Sequence, residues 1–186
     1  DKTLDFNYLD CDENIEVCYT TYGGEKAVLT GGIKIEPDKW QLYDSQKRIY
    51  RAFVGTDVTS RQFFVNGVRA ERARSKGGFV NYSVDEKGYL CDNTELLSFM
   101  HPEDLELLIH VAWTTPRCGV SSVENENGRV RVNIKPETWK ILWGRSLDSF
   151  QQCRPNNPYY YENAYELLDE GGEWYLNSHD GYMYYK

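Results

Sequence analysis

Apolar and polar positions alternate with a period of two along much of this chain. Ile15, Val17 and Tyr19 fall on one face of NIEVCY (14–19), and Val130, Val132 and Ile134 on one face of RVRVNI (129–134). That alternation predicts strands with one buried face. LDFNY (4–8), KAVLT (26–30), IKIE (33–36), KWQLY (39–43) and RIYRAFV (48–54) extend the series, punctuated by Gly23-Gly24 and Gly31-Gly32. GFVNYSV (78–84), GYL (88–90), the apolar run ELLIHVAW (106–113) and CGVSSVEN (118–125) also read as extended. Short strands between glycine turns are an all-β signal.

Turn residues set the pairings. Asn66-Gly67 in FFVNGVRA predicts a two-residue type I′ hairpin, because both central positions need positive φ. Asn127-Gly128 predicts a second hairpin, and EWYLN (173–177) with YMYYK (182–186) a third across SHDG. Helical pieces are few. Asn93 is placed to cap TELLSFM (94–100), and PEDLE (102–106) offers another turn. KPETWKILW (135–143) opens with Pro136 at a first helical position. Ala164, Leu167 and Leu168 sit at helical spacing in YYENAYELLDE (160–170), ahead of Gly171-Gly172. RPNNP (154–158) reads as a loop. The expected fold class is mainly β, a β-sandwich-like domain with a few short helices, since too few helices alternate with strands for a doubly wound sheet.

Composition narrows the functions. Of 186 residues 40% are hydrophobic and 15% aromatic, enough to bury a core. Fifteen Tyr and five Trp favour strands, and flat aromatic faces also suit sugar rings. Trp113, Trp139, Trp143 and Trp174 are read as core. A net charge of −8 repels phosphate backbones, so nucleic acid is not expected as a partner. No apolar run reaches the length of a membrane span. Cys11, Cys18, Cys91, Cys118 and Cys153 form no CxxC, and His101, His110 and His179 stand at no zinc-ligand spacing to them. Free thiols and no metal or other cofactor are therefore expected. A chain opening at Asp1 with no Met or signal-peptide pattern reads as a fragment or a processed product.

The catalytic motifs that carry nucleotide, zinc-protease or serine-hydrolase chemistry do not occur. Carboxylates are plentiful at Asp10/Asp12, Glu103/Asp104/Glu106 and Asp169/Glu170/Glu173. Glycoside hydrolysis needs two of them facing across a bond, which spacing along the chain does not reveal. No catalytic residue is assigned, and His179 in its turn is read as a loop residue.

Four landmarks in order go beyond pattern. They are TLDFNYLDC with VCYTTYGGEKAVLTGGIKI, RQFFVNGVRAERARS, LELLIHVAWTTPRCGV, and YENAYELLDEGGEWYLNSHDGYMYYK. Together they resemble the inserted β-rich domain, and the adjoining coils, of right-handed parallel β-helix glycoside hydrolases, those like family 141. Cys11 and Gly171 depart from the family's usual loop residues. The resemblance implies partial β-helix strands over 1–35 and an insertion domain over 36–186. It implies an accessory domain that is not catalytic alone, shapes the substrate cleft and caps the β-helix of a polysaccharide-degrading parent. It places Arg69, Arg72, Arg74, Glu162, Asn163, Glu173 and Trp174 at the domain junction or against substrate, with Asn66 and Gly67 in the same motif. The expected partners are the parent's β-helix catalytic domain and carbohydrate.

Two other functions compete. An independent carbohydrate-binding module would need two or three Trp or Tyr exposed on one face. A small self-contained glycosidase would need a facing carboxylate pair. The compartment stays open between cytoplasm and extracellular space, since reduced thiols favour the first and polymer substrates the second.

Overall fold

The computed structural model describes residues 7, 10, 14, 16–147 and 155–186, and the chain divides into two compact units, Asp1–Lys34 and Ile35–Lys186. The first unit has tight turns at its described positions. Asp10 N–H donates to the Asn7 carbonyl at 3.0 Å, and Glu25 N–H to the Tyr22 carbonyl at 3.0 Å, with Gly23 and Gly24 at positive φ. The glycine turn is where the pattern puts it. The segments 16–19, 26–30 and 33–36, however, carry no strand. A strand forms only when its N–H and C=O groups find a neighbour, and the described residues of this unit supply no such edge. The segment 4–8 lies, but for Asn7, outside the described residues.

Among its described residues the second unit is mainly β, with two larger sheets in a β-sandwich-like insert, one α-helix and a few 3₁₀ turns. The first sheet contains β1 (Gln41–Asp44), β2 (Ile49–Phe53), β5 (Glu71–Arg72), β12 (Glu173–Asn177) and β13 (Tyr182–Tyr185), in the order β1-β2-β13-β12-β5. Its pairs are antiparallel except β12 with β5, which is parallel. The second sheet runs β11 (Tyr160–Glu162), β8 (Glu106–Leu108), β9 (Arg117–Glu126), β10 (Arg129–Ile134), β7 (Gly88–Cys91), β6 (Ser83–Asp85). A separate hairpin joins β3 (Phe64–Val65) to β4 (Val68–Arg69), and its Asn66 and Gly67 have φ of 51° and 79°. Both lie in the left-handed region, as a type I′ turn demands.

Each sheet buries its own apolar face. Val130, Val132 and Ile134 pack with Tyr89, Leu107, Val120 and Trp139. Trp139 comes from α1 (Pro136–Leu147), which starts at the predicted proline, and its indole N–H donates to the Glu86 carbonyl at 3.0 Å. On the other sheet Ile49, Tyr175 and Tyr184 pack with Ala73 and Leu168, while Trp174, Leu176 and Met183 form a further cluster.

Three local readings need correction. Residues 160–170 are not a helix: Tyr160–Glu162 pair with β8, Asn163 turns to φ 74°, and a single 3₁₀ turn covers Tyr165–Leu167. The helical spacing arose because Ala164 faces one core and Leu168 the other. Asn93 does not cap the 3₁₀ turn Thr94–Ser98; its side chain accepts from Val80 N–H at 2.7 Å and donates to Glu95 at 2.8 Å. The run 106–113 leaves its strand after Leu108 and turns, so Trp113 stands 71% exposed rather than in the core.

Among the described residues the two sheets share backbone hydrogen bonds along one seam. β5 lies at the edge of the first sheet and β11 at the edge of the second. Just past β5, Arg74 bridges Glu162 in antiparallel fashion. Ala73 N–H donates to the Trp174 carbonyl at 2.8 Å, Asn163 N–H to the Ala73 carbonyl at 2.9 Å, and Ser75 N–H to the Tyr161 carbonyl at 2.8 Å. One stretch, 71–75, is thus hydrogen-bonded to both sheets.

Candidate functional site

The arginines of GVRAERARS (67–75) divide by how far they are covered. Two residues apart in extended chain, Arg72 and Arg74 share the face opposite the fully buried Ala73, yet the carboxylates of β8 and β11 cover Arg72 while Arg74 stays exposed. Arg72 Nη1 donates to Glu106 Oε2 at 2.8 Å and to Glu162 Oε1 at 3.3 Å. Its guanidinium lies 5.7 Å from the Trp174 ring, within cation–π range. Arg61 Nη2 adds a bond to Glu106 Oε1 at 2.7 Å, and Arg117 Nε one to Glu162 Oε1 at 3.3 Å. Two carboxylates are therefore shared among three arginines.

This arrangement sets the charge state. Burial acts to raise the pKa of Glu106, but the hydrogen bonds and charges of Arg61 and Arg72 outweigh it and hold the carboxyl below its ordinary range. Such a carboxylate stays ionised and serves as an anchor, not a proton donor. Trp174 is fully buried, and Asn163 donates from its amide to the Asp104 carbonyl at 2.8 Å. Beside this group opens a cleft of about 450 Å³ lined by Arg61, Arg72, Glu106, Asn163, Ser60 and Ser178.

Arg74 lines a second cleft of about 310 Å³. Its guanidinium lies 4.8 Å from the Tyr160 ring and pairs with Glu71. Ser75, Lys76, Tyr159, Asp169, Glu170 and Glu173 complete the lining. Glu173 is 7% exposed, and its Oε2 accepts from the Asp169 and Glu170 N–H groups at 3.0 and 2.9 Å. Burial outweighs those bonds and raises its pKa above the usual glutamate range. Arg69, on β4, is exposed at the hairpin.

The seven motif residues therefore fall into groups. Arg72, Glu162, Asn163 and Trp174 lie together inside the seam, Arg74 and Glu173 line the smaller cleft, and Arg69 stands apart. Sequence reasoning missed Arg117, and it counted Arg61 and Glu106 without pairing them. Arg72 and Glu106 are 34 residues apart, and no local signal joins them. His179 stacks on His101 with ring centroids 4.0 Å apart. Among the described residues Cys18, Cys91 and Cys118 are free thiols, the last two buried.

These features define a two-sheet β module with Arg72 and Glu162 largely buried at the seam between its sheets. The chain belongs to the GH141 insertion domain family, whose model matches residues 48–186. A solved glycoside hydrolase is 25% identical over 88% of this chain, with a TM-score of 0.67. This chain spans only 30% of that protein's length. Among curated proteins none matches.

Proposed function

We propose that this chain is the non-catalytic insertion domain of a polysaccharide-degrading parallel β-helix glycoside hydrolase. It forms one wall of the substrate cleft and caps the β-helix, with 1–35 as strands of that helix and 36–186 as the insert. The observation that carries this reading is the insertion-domain match over residues 48–186. The state of the carboxylates supports it. A glycosidase needs one carboxyl with a raised pKa facing a second across open space. Glu106 and Glu162 are tied to arginines, and Glu173, the one with a raised pKa, is buried against backbone amides. Of the motif residues, Arg69 and Arg74 are exposed and suited to meet the parent domain or a sugar hydroxyl. Arg72, Glu162, Asn163 and Trp174 hold that surface from behind, and Glu173 shapes the Arg74 cleft.

A second reading, an independent carbohydrate-binding module, is favoured by Trp113 and Tyr159, which are 71% and 63% exposed. Proton NMR of the 186-residue chain with plant cell-wall oligosaccharides, followed over a day, separates the readings. New reducing-end anomeric signals that vanish with an Asp or Glu variant of this chain would overturn the proposal. Selective line broadening that Trp113→Ala abolishes supports the binding module. Neither signal supports the insert, whose sugar contacts would need the parent β-helix.

A further inference from the structure

A polar cluster adjoins the larger cleft, where Ser178 precedes His179 and Asn163 donates to the Asp104 carbonyl. His101 and the 3₁₀ turn Pro102–Asp104 precede β8 of the second sheet, and His179 sits in the turn between β12 and β13 of the first. The two imidazoles stack 4.0 Å apart at 10°. Between them stands one oxygen of Glu103: Oε1 is 3.5 Å from His101 Nδ1 and 3.6 Å from His179 Nε2. Asp104 Oδ2 lies 3.3 Å from the same His179 nitrogen.

The Glu103 separations are too long for good hydrogen bonds, which close at about 3.2 Å. They come near another geometry, reached when one of the two parallel rings turns its nitrogen toward a shared point. A tetrahedral zinc ion with nitrogen and oxygen ligands at about 2.0–2.1 Å sets its ligands about 3.3–3.4 Å apart. One donor atom each from His101, Glu103 and His179 all lie within 4.8 Å of one another. Asp104 supplies a fourth donor beside His179. Asp104 Oδ2 also lies 3.4 Å from the Tyr175 hydroxyl, and the backbone N–H of His179 donates to Asn177 Oδ1 at 2.9 Å, which fixes the turn that carries the ring.

We propose that His101, Glu103, His179 and Asp104 bind a divalent transition-metal ion of the zinc class. Two imidazoles with two carboxylates favour zinc, copper or nickel over calcium or magnesium, which take oxygen ligands. Two carboxylate charges balance the dication, and the histidines join it as neutral ligands. No CxxC or HxxxH spacing announces the site, because the fold brings together a turn before β8 and a hairpin tip near the C-terminal end of the sequence. A bound ion links the two sheets at a second point beyond the arginine seam. This inference is independent of the carbohydrate reading.

The test is titration of the untagged 186-residue chain with CoCl₂ and then ZnCl₂. One equivalent of Co²⁺ is expected to give saturable visible d–d bands, which Zn²⁺ then displaces. Zinc at about a hundredfold excess over its Kd is expected to raise Tm by roughly 5–10 °C. His101→Gln and His179→Gln are each expected to weaken uptake by at least about tenfold, the loss that even supporting residues show at metal sites. His110→Gln, whose ring bonds Thr115 instead, leaves it unchanged. Glu103 is half exposed, so Glu103→Gln keeps the fold and still weakens binding should a histidine variant misfold. No saturable uptake, or uptake that survives His179→Gln and Glu103→Gln, overturns the site.

Discussion

Arg72 and Glu162 stand on edge strands of different sheets, yet 3.3 Å separates Nη1 from Oε1, with side chains only 11% and 8% exposed. Among the described residues, the pair crosses the place where the sheets share backbone hydrogen bonds. Removing one partner of a buried ion pair leaves the other charge uncompensated. Arg72→Ala is therefore expected to lower unfolding free energy by about 3–5 kcal/mol in urea melts. Arg72→Lys keeps the charge but loses the planar fork and its stacking on Trp174, at about 1–2 kcal/mol. Arg69 belongs to the same sequence motif but is exposed, so Arg69→Ala is expected to stay within about 0.5 kcal/mol of wild type. Equal costs at Arg69 and Arg72 would refute the seam as the source of stability.

Thiol reactivity follows burial. Cys91 and Cys118 are fully buried, and burial raises both thiols, Cys118 to about 11. Only the thiolate attacks disulfide reagents. In the native protein Ellman's reagent is expected to modify exposed Cys18 quickly and Cys91 and Cys118 only on unfolding. Peptide mapping by mass spectrometry assigns the sites. Fast modification of Cys118 under native conditions would mean that the second sheet opens locally.

What was legible in the sequence was what depends on near neighbours. Asn66-Gly67 and Asn127-Gly128 form hairpins because two adjacent residues satisfy the turn, and Pro136 starts the helix for a reason confined to itself. The period-two pattern of β10 was readable because one face meets a single core. The stretch 160–170 misled because it serves two cores, so Ala164 and Leu168 mimic a helical face while Asn163 breaks the helix. The segments 26–30 and 33–36 alternate as strands do but have no edge to join among the described residues. The site was half legible. Resemblance singled out Arg72 and Glu162 together, but the link to Glu106 and the approach of His179 to Glu103 are products of topology that spacing does not carry.

Acid stability should reveal the same charges. Burial tends to raise the pKa of Glu106 and of Asp85, but arginine partners, with backbone N–H groups for Asp85, bring both below the ordinary carboxylate range. A folded pKa below the unfolded one gives stability that is full above the unfolded pKa and is lost as pH falls through the folded pKa. Glu173 has the opposite sign: its raised pKa makes its ionisation a cost that grows as pH rises through the carboxylate range. Unfolding free energy measured from about pH 3 to 7 is therefore expected to fall less steeply toward acid in Glu106→Gln. In Glu173→Gln the stability difference from wild type should become more favourable as pH rises. The same slope in both variants would refute the assignment.

Two glycines in hairpins separate backbone strain from space. Gly67 has φ +79°, and a Cβ there meets nothing within 4 Å. Gly67→Ala thus suffers only the left-handed conformation, about 1–2 kcal/mol. Gly88 has φ +144°, and its Cβ would lie 2.2 Å from the Val132 carbonyl oxygen and 2.9 Å from Ile134 Cγ1. Those atoms belong to β10, packed in the core of the second sheet, and have no room to move. Gly88→Ala must push β7 off β10 and is expected to cost about 3 kcal/mol or more, with the loss of near-ultraviolet dichroism from Tyr89 and Trp139. If Gly88→Ala proved as mild as Gly67→Ala in urea melts, the β7–β10 register at Asn133 and Gly88 would be wrong.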